Sequence, residues 1–171
     1  MSRILSCVLL VCAAASAVTL RQMSLTDMTT SATAIVRATV TATSTSRIGP
    51  TIYTRYKLRV SETWKGTAPS EVLLPGGTYA GLRQSFPGVP QLATGNEYVL
   101  FLWTSPSTGI THVVGFSQGI FSVTYQSDGT PLAGRSATAE TMHNASGAEV
   151  RDQAVSMTVS AMKALVTGAQ Q

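Results

Sequence analysis

Gly115-Phe116-Ser117-Gln118-Gly119 carries the spacing of a serine nucleophile set between two glycines. Where that pattern works in acyl transfer, a sharp strand-to-helix turn exposes the serine oxygen. Backbone N–H groups then point at the oxyanion that forms. Asp128 and His143 follow in the order serine, acid, histidine, so a small serine hydrolase using Ser117 is one reading of the chain. The flanking residues argue against it. Gly119-Ile120-Phe121-Ser122-Val123 reads as a strand, and no alternation of strands and helices exists to build such an elbow. Turn glycines joining two strands account for the same five residues.

Metal chemistry has less to work with. His112 and His143 are the two histidines, and neither stands at ligand spacing from another His or from a Cys. A catalytic zinc takes three protein ligands, commonly two from one local motif. No cofactor is called for. His112 reads as a half-buried or edge residue of an apolar strand, and His143 as part of a loop before the last helix. Asn144-Ala145-Ser146 matches a glycosylation triplet. Ser146 also opens Ser146-Gly147-Ala148-Glu149, the spacing of a helix capping box, and the cap is the preferred reading.

Binding chemistry is better represented. Tyr53, Arg55, Lys57, Arg59 and Lys65 alternate with Ile52, Tyr56, Leu58, Val60 and Trp64, which puts the cations on one face of a strand and the apolar groups on the other. The preceding strand is expected over residues 34–43, with a turn from Ser44 to Pro50. Closing this hairpin near Arg47 pairs residues whose numbers sum to about 94, placing Arg37 opposite Lys57 and Val36 beside Leu58. Arg37, Arg55, Lys57 and Arg59 then share a face. Like charges directly opposite destabilise a sheet, so an anion such as an envelope glycan or lipid is a natural occupant. A solvated or aggregation-proof edge is the plainer reading. Pro75 to Pro90 adds Tyr79, Arg83 and Phe86 among glycines, as a binding loop or a lid.

These residues need a frame. A short helix is expected over 24–34, with Ser24 and Asp27 as its capping box. Further strands are expected at 71–74, 97–103, 111–114 and 118–125, with an irregular stretch from Pro75 to Gly95 and a turn at Asp128-Gly129. The segment 97–103 is apolar at every position from Tyr98 to Trp103, so it belongs in the middle of a sheet covered on both sides. A C-terminal helix is expected from about 147 to 166. Consecutive strands without intervening helices imply a mainly β fold, a small antiparallel OB-like barrel with a short N-terminal helix and a C-terminal helix.

Location is read from the other end. Residues 1–17 have a basic start at Arg3, an apolar run from Ile4 to Ala15 and Ala15-Ser16-Ala17 at the exit. That is the anatomy of a cleaved signal peptide. The apolar run is far shorter than the roughly 20 residues a spanning helix needs. A lipid anchor on Cys7 is the weaker alternative, because almost no apolar segment separates it from Arg3. Cleavage leaves one domain, 18–171, secreted or periplasmic, without cysteine, and with no transmembrane segment. The chain of 171 residues has a net charge of +4, which falls to +3 without Arg3. That is too mild to call for nucleic acid. Charged residues make up 12%, about half the usual share, with Thr and Ser in their place.

The chain resembles a family of exported bacterial proteins to which no activity is assigned. The resemblance rests on Tyr56-Lys57-Leu58-Arg59-Val60 with Trp64-Lys65-Gly66, on Leu74-Pro75-Gly76-Gly77, and on Phe86-Pro87-Gly88-Val89-Pro90. It continues through Gly95-Asn96-Glu97-Tyr98-Val99-Leu100-Phe101-Leu102 and Gly115 to Val123, covering about residues 33–125. In that pattern the place of Ser117 is not reserved for serine. The element order is also similar to the OB-type barrel of netrin modules and tissue metalloproteinase inhibitors. Their inhibition depends on an N-terminal cysteine that the processed chain lacks, and fold alone does not carry function. The expectation is therefore an exported, non-enzymatic binding or envelope-associated module. Its candidate contacts are Arg37, Arg55, Lys57, Arg59, Tyr79 and Arg83, and its partner an anionic envelope glycan or an extracellular protein.

Overall fold

The computed structural model describes residues 19–170; the expected leader at 1–17 lies outside them. The strands in chain order are β1 (Thr19–Arg21), β2 (Ala34–Ile48), β3 (Thr51–Lys65), β4 (Glu71–Pro75), β5 (Gly77–Tyr79), β6 (Leu82–Gln84) and β7 (Glu97–Thr104). They continue with β8 (Thr111–Val113), β9 (Ile120–Tyr125), β10 (Pro131–Arg135), β11 (Thr141–His143), β12 (Glu149–Val150) and β13 (Val155–Thr158). Helix α1 (Leu25–Ser31) follows β1, and α2 (Val159–Gly168) closes the chain. Strand outweighs helix, 49% to 14%, so the fold is mainly β.

Eight strands form one sheet in the order β13-β10-β9-β7-β2-β3-β4, with β8 on the free end of β7. This sheet is not closed into a barrel, which corrects the OB-type expectation. It curls until β4 approaches β8, but no ladder joins those two edges. Pro75 ends β4 and donates no hydrogen bond, a common property of edge strands.

The curl makes two cores. On the concave side Val36, Ala38 and Val40 from β2, Tyr56 from β3, Val72 and Leu74 from β4, and Leu100 and Leu102 from β7 pack together beneath Leu92. On the convex side Ile35, Val99, Phe101, Phe121 and Ala133 meet Met28 and Ala32 of α1 and Val159, Met162 and Val166 of α2. Strand β7 lies between β2 and β9 and feeds both cores. Its alternating residues are all buried until Trp103, which is 41% exposed at the end.

The β2–β3 hairpin differs from the expected one in register and length. Gly49, at φ +58, and Pro50 form a two-residue connection, so the strands run on to Ile48 and Thr51. Glycine tolerates that φ and proline sets the next one. Partners sum to 98–100, not 94: Arg37 lies opposite Glu62, Val40 opposite Leu58 and Ala42 opposite Lys57. Shifts at Trp64, Ser61 and Thr41 break the ladder in three places. Residues 44–48, expected within the turn, are strand.

Three further expectations are corrected. The stretch after Pro75 is not irregular throughout, because β5 and β6 form a small hairpin across an Ala80-Gly81 turn. The C-terminal helix begins at Val159, capped by the Thr158 hydroxyl, which accepts from the Ala161 N–H. Ser146 does not cap a helix. Asn144 Oδ1 accepts from the N–H groups of Ser146 and Ala148 and from the Ser146 hydroxyl, and Gly147 sits at φ +81, outside any α-helix. His143 likewise is not in a loop but in β11, paired with β1 and β12.

Candidate functional site

Strand alternation carries the convex face outward from Ile35 through Arg37 and Thr39. Thr39 pairs with Arg59, and from Arg59 the same face of β3 continues through Lys57 and Arg55 to Tyr53. Arg37 and the three β3 cations therefore do lie in one band, but not as opposed like charges. Acids intervene at its inner end.

Arg37 is enclosed. Its Nε and Nη2 donate to Glu97 at 2.8 and 3.1 Å, its Nη1 donates to Glu62 Oε1 at 3.0 Å, and Nη2 also meets the Tyr125 hydroxyl at 3.0 Å. Tyr125 donates to Glu97 Oε2 at 2.7 Å. Glu62 Oε2 accepts from Trp64 Nε1 and from Lys163 Nζ of α2. Five elements, β2, β3, β7, β9 and α2, are tied by this network. With its side chain only 15% exposed, Arg37 is a structural clamp and is withdrawn from the candidate binding residues.

The network sets a pH dependence. Lys163 first, then Trp64 and Arg37, hold the Glu62 carboxyl down from 4.5 to about 2 against the cost of its burial. Burial opposes ionisation of Glu97, but its bonds to Arg37 and Tyr125 outweigh it and keep this group low as well. A carboxyl whose folded pKa is depressed contributes stability above its unfolded pKa and loses it as pH falls toward the folded one. Glu62 therefore gives up its contribution between pH 4.5 and about 2. The shift amounts to roughly 3 kcal/mol, reduced to about 2 by solvent screening at a partly exposed pair. Urea unfolding measured at pH 5.5 and 2.5 should show that loss in the wild type and a flatter profile in Glu62→Gln. Parallel profiles would remove Glu62 as a source of acid lability.

Beyond Arg59 the band is differently placed. Arg55 pairs with Glu71 across β3–β4, and Lys57 stands opposite Glu71 in the ladder. Lys57 and Arg59 are exposed. Among the described residues neither makes a salt bridge. At the far end Tyr53 meets the ring of His112 with centroids 6.2 Å apart.

The β5–β6 hairpin sits on the concave side of the same ribbon end. The Thr45 hydroxyl donates to Thr78 O at 2.7 Å, and Gln84 Oε1 accepts from Ile52 N at 2.6 Å. Thr78 pairs with Arg83 and Tyr79 with Leu82. A crevice of ≈ 190 Å³ lies beside it, lined by Tyr56, Pro75, Arg83, Phe86 and Pro90 among others. Tyr79 and Arg83 thus join the outer half of the β2–β3 ribbon. Arg47, which sequence reasoning passed over, lies there too, its Nε donating to Gly49 O at 2.9 Å.

Charge is segregated by this arrangement. Residues 40–61 and 71–96 make up the outer ribbon, β4, the hairpin and the adjoining loop. They hold Arg47, Arg55, Lys57, Arg59 and Arg83 and one acid, Glu71, which pairs with Arg55 and stands opposite Lys57. The other seven acids lie elsewhere, with the other six cations found after residue 18. The arm therefore carries 5 − 1 = +4, and the rest of residues 19–171 carries 6 − 7 = −1.

The hydrolase residues are not gathered. Ser117 lies on a 3-10 turn, Phe116–Gly119, between β8 and β9, not on a strand-to-helix elbow. Its Oγ is buried and makes no hydrogen bond among the described residues, whereas an activated serine needs a base within reach. Asp128 sits past the far end of β9, bonded to Thr130 N, and six strand residues alone span roughly 20 Å. Gln118, the neighbour of Ser117, holds β1 to the sheet: its side chain accepts from Met23 N and donates to Arg21 O.

A larger cleft of ≈ 480 Å³ lies between the start of α1 and β13. Its charged pair is internal: Arg135 donates to both oxygens of Asp152, at 2.5 and 2.9 Å, and Thr138 N donates to the same carboxylate. Among the described residues no three His, Cys, Asp or Glu side chains are placed to hold a metal, and no helix is long and apolar enough to cross a membrane. No family model, curated protein or solved structure matches the chain.

Proposed function

We propose that the protein is an exported, non-enzymatic binding module that holds an anionic partner of the cell envelope on its basic arm. The observation that carries this reading is the segregation of charge: five cations against one acid, Glu71, on the outer ribbon, β4 and the hairpin. Four of the five, Arg47, Lys57, Arg59 and Arg83, are exposed. Such a basic surface attracts and concentrates counter-ions of opposite sign. The leader-like residues 1–17 and the likeness to exported bacterial proteins support the location. The contacts proposed for the anionic groups are Arg47, Arg55, Lys57, Arg59 and Arg83.

The account expects weak binding to a soluble sulfated glycan. Affinity should fall steeply as salt rises, because exposed charges are screened beyond about 8 Å at physiological ionic strength. Titration of the chain with that glycan across a salt series checks it. Affinity indifferent to salt would remove the arm from the interaction.

A further inference from the structure

Deepening that reading, and resting on it, we infer that the arm docks on an anionic lipid surface, with the end of the β5–β6 hairpin entering the headgroup layer. Charge alone does not separate a lipid surface from a glycan. The apolar side chains do. Among the described residues eight large hydrophobic side chains are exposed, and four of them, Ile48, Tyr79, Leu82 and Phe86, belong to the arm. Ile48 closes β2 at the ribbon turn, and Tyr79 and Leu82 are the last cross-strand pair of the hairpin. They flank the Ala80-Gly81 turn, where both residues have positive φ. Leu82 is 60% and Tyr79 43% exposed.

Leu82 offers a hydrated glycan neither a hydrogen bond nor a ring to stack on a sugar, and Tyr79 beside it adds further apolar area. They suit the boundary between headgroups and acyl chains, where tyrosine rings concentrate. Arg47 and Arg83 are exposed at the same ribbon end and hairpin, so cations accompany the apolar side chains, and the acid of the arm, Glu71, is paired with Arg55. Basic residues near an apolar anchor are the composition that anionic membranes attract. The hairpin is also braced. Gly77 packs so closely that a Cβ there would lie 2.7 Å from Thr54 Oγ1 and 3.0 Å from Thr45 Cγ2. The docking end is therefore presented in a fixed orientation.

The test uses residues 18–171, the chain left by the expected cleavage, so that the apolar leader cannot itself bind lipid. Vesicles of phosphatidylcholine alone are compared with vesicles holding about one part phosphatidylglycerol in four, by co-sedimentation and alongside the soluble sulfated glycan. Wild type should sediment with the anionic vesicles only. Tyr79→Ser/Leu82→Ser should lose vesicle binding roughly tenfold or more while keeping its glycan affinity, and Arg47→Ser/Arg83→Ser, which removes the cations on the hairpin's side of the ribbon, should lose both. Because Tyr79 and Leu82 are exposed, an unchanged circular dichroism spectrum is expected for that variant. Wild type that binds glycan but not anionic vesicles overturns the lipid inference and leaves the binding module standing. Binding to neither overturns both. Equal sedimentation of wild type and Tyr79→Ser/Leu82→Ser removes the hairpin from the contact.

Discussion

Truncating Leu100 to alanine is expected to lower the stability by about 2–5 kcal/mol, and truncating Phe101 by about 3–5 kcal/mol. The two are sequence neighbours on opposite faces of β7, and each is fully buried. Leu100 faces Val36 and the concave core, while Phe101 faces the helices, its ring 5.8 Å from that of Phe121. Neither cavity can collapse easily, because β2 and β9 hold the strand from both sides. Urea unfolding of each variant measures the loss. Values below about 1 kcal/mol for either one would mean that its face of β7 is not covered.

The second large effect concerns backbone crossing, not side-chain packing. Gly66 ends β3 at φ +64, and a Cβ built on it would lie 1.9 Å from Thr33 O, at the entry to β2. Neither backbone can yield cheaply: Thr33 N donates to Leu102 O, and Lys65 Nζ donates to Thr29 O. Gly66→Ala should cost at least about 3 kcal/mol, through the left-handed φ and through displacement of one strand. Gly49→Ala is the internal control. It shares a positive φ but meets nothing within 4 Å, so it should cost only about 1–2 kcal/mol. Equal losses would mean that the close approach at Thr33 is absent.

Much of this frame is legible in the residues. The period of two from Ile52 to Val60 and the doubly apolar run at 97–103 locate β3 and the central strand, because burial on one or both faces writes itself into composition. Register does not. It is set at the turn. With the connection at Gly49-Pro50 in place of Arg47, partners at the ribbon end sum to 99, which by itself sets Arg37 opposite Glu62 and not Lys57. The bulges at Thr41 and Ser61, one on each strand, cancel before Arg37 is reached. The start of α2 was hidden for a different reason: Ser146 and Glu149 have the spacing of a capping box, but Asn144 takes the local N–H groups first. Val155 to Thr158 are then committed to pairing with β10.

The basic band was visible as a strand face, yet its useful part was not. Arg37 is the residue most removed from solvent. Arg47 joins the set only because the ribbon is longer than its turn signals imply, and Arg83, a candidate from its loop alone, reaches the ribbon because the β5–β6 hairpin folds onto it. A basic arm with a single acid, on a chain of net charge +4, emerges only when sequence segments are grouped by the fold.

That grouping is tested most directly by separating the position of charge from its amount. Lys57→Ser/Arg59→Ser and Arg21→Ser/Arg151→Ser each remove two exposed cations, the first pair from the arm and the second from elsewhere. Affinity for a soluble sulfated glycan, measured by calorimetry at low salt, should fall roughly tenfold or more for the arm pair. It should stay within about twofold of wild type for the other pair. Equal losses in the two variants would mean that net charge alone attracts the glycan and that the arm is ordinary surface.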